Sequence, residues 1–155
     1  MRALLKYPKA TRLIDLETWP REPGRPRVLV EDPDGAVLWA SARILEEAGY
    51  EVACCQGPTG VGRGLARTCC PLLAGGPCPL VEGADVVVSS TSLPESAGIQ
   101  EAVARHDAAL VVGGPGRVVE ERLERIGTGS ALACPITPEK LVGAVAAALQ
   151  SSAAT

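Results

Sequence analysis

The stretch RVLVEDPDGAVLWASARILEEAGYEV, residues 27–52, decides how the rest of the chain is read. Arg27–Val30 is a short β-branched run with no alternation, the signature of a strand buried on both faces. An acidic turn, Glu31–Asp34, interrupts it. Val37, Ala40, Ser41, Ile44, Leu45 and Ala48 then recur at helical spacing, and Gly49 is placed to cap the helix. Tyr50–Cys54 is read as a second strand.

Outward from this unit the alternation continues. Ala84–Val88, Ala108–Val112 and Ala131–Cys134 supply three more apolar strands. Ile99, Ala102 and Val103 mark a helix that begins near Pro94 or Glu95. Val119, Leu123 and Ile126 mark another, closed by Gly127. The last helix starts after Thr137, with Pro138 at its first position, and its apolar face is Leu141, Val142, Val145 and Leu149. Continuous apolar strands separated by helices predict an α/β fold with a five-stranded parallel sheet covered on both faces. Ligand sites in such sheets lie at the carboxyl ends of the strands.

One crossover breaks the pattern. Residues 56–83 hold seven Gly, four Pro and cysteines at 69, 70 and 78, with room for at most a short helix around Val61–Arg67. A connection this long without structure of its own is uncommon in a compact domain and is usually functional or stapled.

Composition narrows the function classes. The chain has 155 residues, enough for one domain, with a formal charge of −3 and 21% charged residues, which argues against a nucleic-acid surface. Apolar residues reach 46%, yet there is no Phe and only two Trp and two Tyr, too few aromatics for a base-stacking platform. No apolar run is long enough to span a membrane, and the first residues lack the apolar core of a secretory signal. The expected compartment is the cytoplasm, where six cysteines are thiols or metal ligands rather than structural disulfides. Residues 1–26 carry a charge of +3 against −6 for the remainder, and with four prolines they are read as a basic arm that Leu13, Ile14, Leu16 and Trp19 would pin to the body.

Three segments together resemble the receiver domains of bacterial two-component response regulators. They are residues 27–52, then VEGADVVVSSTSLPESAG (81–98), which is like the third strand and its Leu-Pro loop, then ALACPITPEKLVGAVAAAL (131–149), which is like the fifth strand and final helix. The resemblance implies a doubly wound, flavodoxin-like three-layer sandwich. It implies a domain over residues 27–150, with residues 56–83 as a Gly/Pro/Cys-rich insertion replacing most of the second helix and residues 151–155 as a tail.

Receiver catalysis uses a phosphoacceptor Asp at the third strand's end, an acidic pair after the first, a Thr or Ser after the fourth and a Lys on the fifth. Carried over position by position, the phosphoacceptor place falls on Ser90 and the acidic pair on Asp32 and Pro33, with Asp34 next. The hydroxyl place falls on Gly113 or Gly114, and the Lys place on Cys134. A serine with no base is a poor nucleophile, and the one histidine, His106, is expected at the far end of a helix. The resemblance therefore implies a degenerate pocket, Asp32, Asp34, Ser90, Gly113 and Cys134, without the phosphoswitch. In the family the fourth helix, fifth strand and last helix form the usual contact face. The charged residues Glu120, Glu121, Arg122, Glu124 and Arg125 are read as a solvated helix face.

The expected function is a non-enzymatic, phosphorylation-independent signalling and protein-interaction module. Its partner would be another signalling protein or a second copy of itself, with no nucleic acid or membrane. No DNA-binding output domain is expected after residue 150, so the output would run through a protein contact or a separate polypeptide. Two alternatives stay open. Cys55, Cys70 and Cys78 would hold zinc or another thiolate-bound metal, or serve as a redox sensor, although no Cys-x₂-Cys knuckle is present and packed thiols explain them as well. A small-anion-binding enzyme would bind its ligand near Asp32, Ser90 and Gly113–Gly114. No other cofactor is expected.

Overall fold

The computed structural model describes residues 23–57 and 70–154. Ten elements alternate: β1 (Arg27–Glu31), α1 (Gly35–Glu47), β2 (Glu51–Cys55), α2 (Pro79–Gly83), β3 (Val86–Ser90), α3 (Ser96–Val103), β4 (Ala109–Gly114), α4 (Gly116–Ile126), β5 (Ser130–Ala133) and α5 (Pro138–Ala153). The five strands form one parallel sheet in the order β2-β1-β3-β4-β5. Among the described residues no helix is long and apolar enough to cross a membrane.

Period-two alternation along each strand splits the core in two. Val28, Val30, Val86, Val88 and Val111 face α1 and α5, where Leu38, Leu45, Leu141 and Val145 meet them. Leu29, Val87, Leu110 and Val112 face the other way, against Val81, Ile99, Val103 and Val119 of α2, α3 and α4. A sheet sealed on both faces explains why its strands read as unbroken apolar runs. Full burial of a valine or leucine side chain is worth roughly 1.5–3 kcal/mol, and small β-branched residues supply that contact without a single Phe.

Local chemistry sets the helix starts. Asp34 Oδ1 accepts from the backbone N–H groups of Ala36 and Val37 at 2.9 and 3.3 Å, capping α1. Thr137 Oγ1 accepts from Lys140 N at 3.2 Å, and Pro138 fills the first position of α5. At the amino ends of the strands, Arg27 N donates to Asp85 Oδ2 at 2.8 Å and Arg25 pairs with Glu51 at 3.2 Å, so the last residues of the basic arm are stitched to the sheet.

Two expectations change. Helix α5 runs through Ala153, so most of residues 151–155 continue the helix rather than form a tail. The short helix expected around Val61–Arg67 lies outside the described residues. The described part of the connection is not structureless: Cys70 O accepts from Leu73 N and Ala74 N, Pro71 O accepts from Ala74 N and Gly76 N, and α2 follows as a helix of five residues. Leu72 and Leu80 pack against the core there, which gives the segment an apolar anchor.

Candidate functional site

Strand order reverses between β1 and β3, whose carboxyl ends therefore bound the crevice where ligands sit in open α/β sheets. Asp32, Ser90, Gly113 and Cys134 all lie at this end of the sheet. Ser90 is paired with Gly113 in the β3–β4 register, and Cys134 N donates to Gly114 O at 2.9 Å. Burial, above all, raises the Asp32 pKa. The Asp34 backbone N–H and the Ser90 side chain oppose the rise, and the Asp34 charge adds to it. The expected grouping of Asp32 with Ser90 thus holds in space.

Asp34 is turned to another task. Its carboxylate caps α1, while its backbone N–H donates to Asp32 Oδ1 at 2.8 Å, closing the acidic turn on itself. The Ser90 hydroxyl is likewise engaged locally, 2.6 Å from Ser92 Oγ and 3.0 Å from Ser92 N, which donates to it. Neither partner is a base. His106 sits beyond the end of α3, just before the amino end of β4, and so lies at the opposite edge of the sheet.

Neighbouring elements place two groups that the sequence reading passed over. Thr91 Oγ1 donates to Gly113 O at 3.2 Å and lies where a side chain on residue 114 would project; a Cβ on Gly114 would collide with it. With φ at +152°, Gly114 also has a backbone that side chains rarely adopt. A hydroxyl is therefore present at the tip of β4, carried by the loop after β3. Lys140 Nζ donates to Pro135 O at 3.1 Å, so α5 brings an ammonium to the β5–α5 loop, where the exposed thiol Cys134 directly follows the strand.

The larger omission lies one residue back on β1 and β3. Glu31, 3% exposed, accepts at Oε2 from Ser89 Oγ at 2.6 Å. Gln100, fully buried on α3, donates from Nε2 to Ser89 Oγ at 2.9 Å and to Ser90 O at 3.0 Å. Arg122 of α4 donates to Gln100 Oε1 at 2.7 Å. The sequence reading put Arg122 on a solvated face, but Gln100 draws it inward and half-buries it, while Glu120, Glu121, Glu124 and Arg125 stay exposed. Burial pushes the Glu31 pKa up; the Ser89 hydrogen bond pulls it down, and the Asp32 charge adds to the rise. Glu31 Oε1 and Ser96 Oγ are both buried without a hydrogen-bond partner. The available signals were an acidic residue ending an apolar strand, the Ser89–Ser90 pair ending another, and a glutamine on an apolar helix face.

The described thiols on and after β2, Cys54, Cys55, Cys70 and Cys78, behave as packing groups. Cys55, Cys70 and Cys78 pack against the same core cluster, near enough for the latter two to raise the Cys55 pKa. Burial is the main cause and pushes Cys55 to about 11 and Cys54 to about 12, which keeps both as neutral thiols and poor nucleophiles. Among the described residues, no group of three or more His, Cys, Asp or Glu side chains is placed to hold a metal ion, so the expected Cys55–Cys70–Cys78 metal site does not fit these residues. Cys69 lies outside the described residues.

No protein-family model and no curated protein matches the chain. Solved structures do. The chemotaxis response regulator CheY4 of Vibrio cholerae is similar at 20% identity and a TM-score of 0.57, covering 81% of this chain and 99% of its own. A CheY-like receiver domain protein from Methanospirillum hungatei matches at 19% identity and 0.61, covering 84% and 98%. A receiver domain protein from Clostridium thermocellum matches at 19% and 0.62, covering 83% and 98%. At these identities the likeness concerns architecture, and it agrees with the strand order and the two helix layers. The chain has the fold of a response-regulator receiver domain.

Proposed function

We propose that this chain is a receiver-like signalling and protein-interaction module that works without phosphoryl transfer to its strand tips. The observation that carries this reading is Ser90. The residue ending β3 is a hydroxyl bound to Ser92, not a carboxylate, and no imidazole stands beside it to activate it. Stabilising charge on a transferring phosphoryl group requires preorganised cations. Here the thiol of Cys134 directly follows β5, and the Lys140 ammonium is engaged with Pro135 O.

The same geometry weighs against a small-anion enzyme, because the Ser90 hydroxyl is tied to Ser92, and Asp32, the acid beside it, is held by the Asp34 backbone N–H. The surface suited to a partner, a signalling protein or a second copy, runs over α4, β5 and α5. β5 is an edge strand with Ala131 and Ala133 exposed, and Val118 and Ile136 are exposed beside it. Intact-mass measurement after incubation with a small phosphodonor and Mg²⁺ tests the reading. An unchanged mass is expected, and a phosphate adduct on the chain would overturn it.

A further inference from the structure

The polar chain behind the pocket has a direction. Arginine can only donate, so the atom of Gln100 facing Arg122 is Oε1 and its amide NH₂ must face Ser89 and the carbonyl of Ser90. Ser89 Oγ thus receives a hydrogen from Gln100, and its own hydrogen goes to Glu31 Oε2. Each bond fixes the polarity of the next, from α4 through α3 and β3 to β1.

Glu31 in turn sits against the start of the long connection. A Cβ on Gly57 would come within 2.8 Å of Glu31 Oε1, and the Gly57 backbone, at φ +74°, donates its N–H to Cys55 Sγ at 3.3 Å. The carboxylate therefore lies against the turn that leaves β2, close enough that residue 57 has no room for a side chain, while its other oxygen terminates the donor chain. We propose that Arg122, Gln100, Ser89 and Glu31 form a one-way hydrogen-bond relay that energetically couples the turn at Gly57 to helix α4. In buried networks, hydrogen-bonded members polarise and position one another, so removing a distal donor is felt beyond its immediate partner. Arg122 is a positioning residue in this scheme. The inference deepens the interaction reading, since α4 belongs to the proposed partner face, and it supplies a route by which an event at the Cys-rich connection would reach that face.

The test uses the full chain alone. Arg122 is only partly buried, so Arg122→Leu is expected to fold, and amide hydrogen exchange at Gly57 is read against Val87 in the central strand as internal reference. The relay predicts Gly57 exchange faster by about threefold or more in Arg122→Leu, and no further effect of Arg122→Leu in a Ser89→Ala background, where the chain is cut between its ends. Reciprocity requires Glu31→Ala to speed α4 exchange relative to α5, with Glu31→Gln, which keeps the acceptor for Ser89, leaving it unchanged. Gly57 exchange indifferent to Arg122→Leu, or equally raised with Ser89 present and absent, overturns the relay. Because no partner or phosphodonor is present, that failure would leave the interaction reading untouched, whereas a phosphate adduct would sink the latter and leave the relay standing.

Discussion

Asp32 and Ser90 occupy one face of the strand tips, and Glu31 and Ser89, the residues directly before them, occupy the other. The two acid–hydroxyl pairs sit on the same neighbouring strands, yet they have different fates. The Glu31 pair is sealed under α3 and wired through Gln100 to Arg122, so its polar atoms stabilise the fold. The Asp32 pair, on the α1 side, is bonded to its own loops, through Asp34 N and Ser92, and keeps a half-buried carboxylate toward the crevice. Side-chain alternation alone decides which acid becomes structure and which becomes site. Removing members of the first pair's network should therefore cost far more than removing members of the second.

The largest separation is expected at Gln100. Gln100→Ala removes the partner of Arg122, of Ser89 and of the Ser90 carbonyl at once, and stranding buried polar groups costs roughly 1–3 kcal/mol each. A loss of about 3 kcal/mol in denaturant unfolding is expected, against less than about 0.5 kcal/mol for Ser92→Ala on the crevice side. Equal losses would mean that the two faces are not energetically distinct. Next comes Gly114→Ala, which drives a Cβ into Thr91 in a strained backbone conformation and should cost about 2 kcal/mol. Combining it with Thr91→Ala should recover part of that loss, because the hydroxyl in the way is gone. Asp34→Ala removes the α1 cap and should cost about 1 kcal/mol by the same measurement.

These contrasts also show what was legible in the sequence. The layers were, because burial on both faces forces unbroken β-branched runs such as Val86–Val88, and helical spacing marks the elements between them. The Thr137–Pro138 start of α5 was legible because a cap is local chemistry. The grouping of Asp32 with Ser90 was implied by the resemblance to receiver domains, not by any local signal. Glu31 was not legible, because a one-residue change in register moves a side chain to the opposite face, and only the pairing of Glu31 with Ser89 reveals which way each acid points. Arg122 was missed for a related reason. On α4 it sits among charges that are solvated, and its partner lies 22 residues earlier on another helix. Thr91 and Lys140 illustrate the same limit, since each brings a functional group to a strand tip from an element that does not carry that tip.

The effect of smallest amplitude is the most diagnostic of the sealed face. Glu31→Gln keeps the shape and the acceptor for Ser89 but abolishes titration. Burial raises the folded-state pKa of Glu31 above its ordinary value near 4.5, so the folded chain holds this proton more tightly than the unfolded one. Glu31 then contributes most to stability at low pH, and that contribution declines as pH rises from about 4.5 through the folded-state pKa. The amide suffers no such decline. The thermal midpoint of Glu31→Gln relative to the natural chain should therefore rise with pH over that window and level off above it. Asp32→Asn should show the same sign, because the Asp32 pKa is also raised, but with a smaller slope, since its carboxylate is only half-buried and is braced by Asp34 N. A difference for Glu31→Gln that falls with pH would mean that the fold relies on the charged carboxylate, with the Ser89 hydrogen bond outweighing burial.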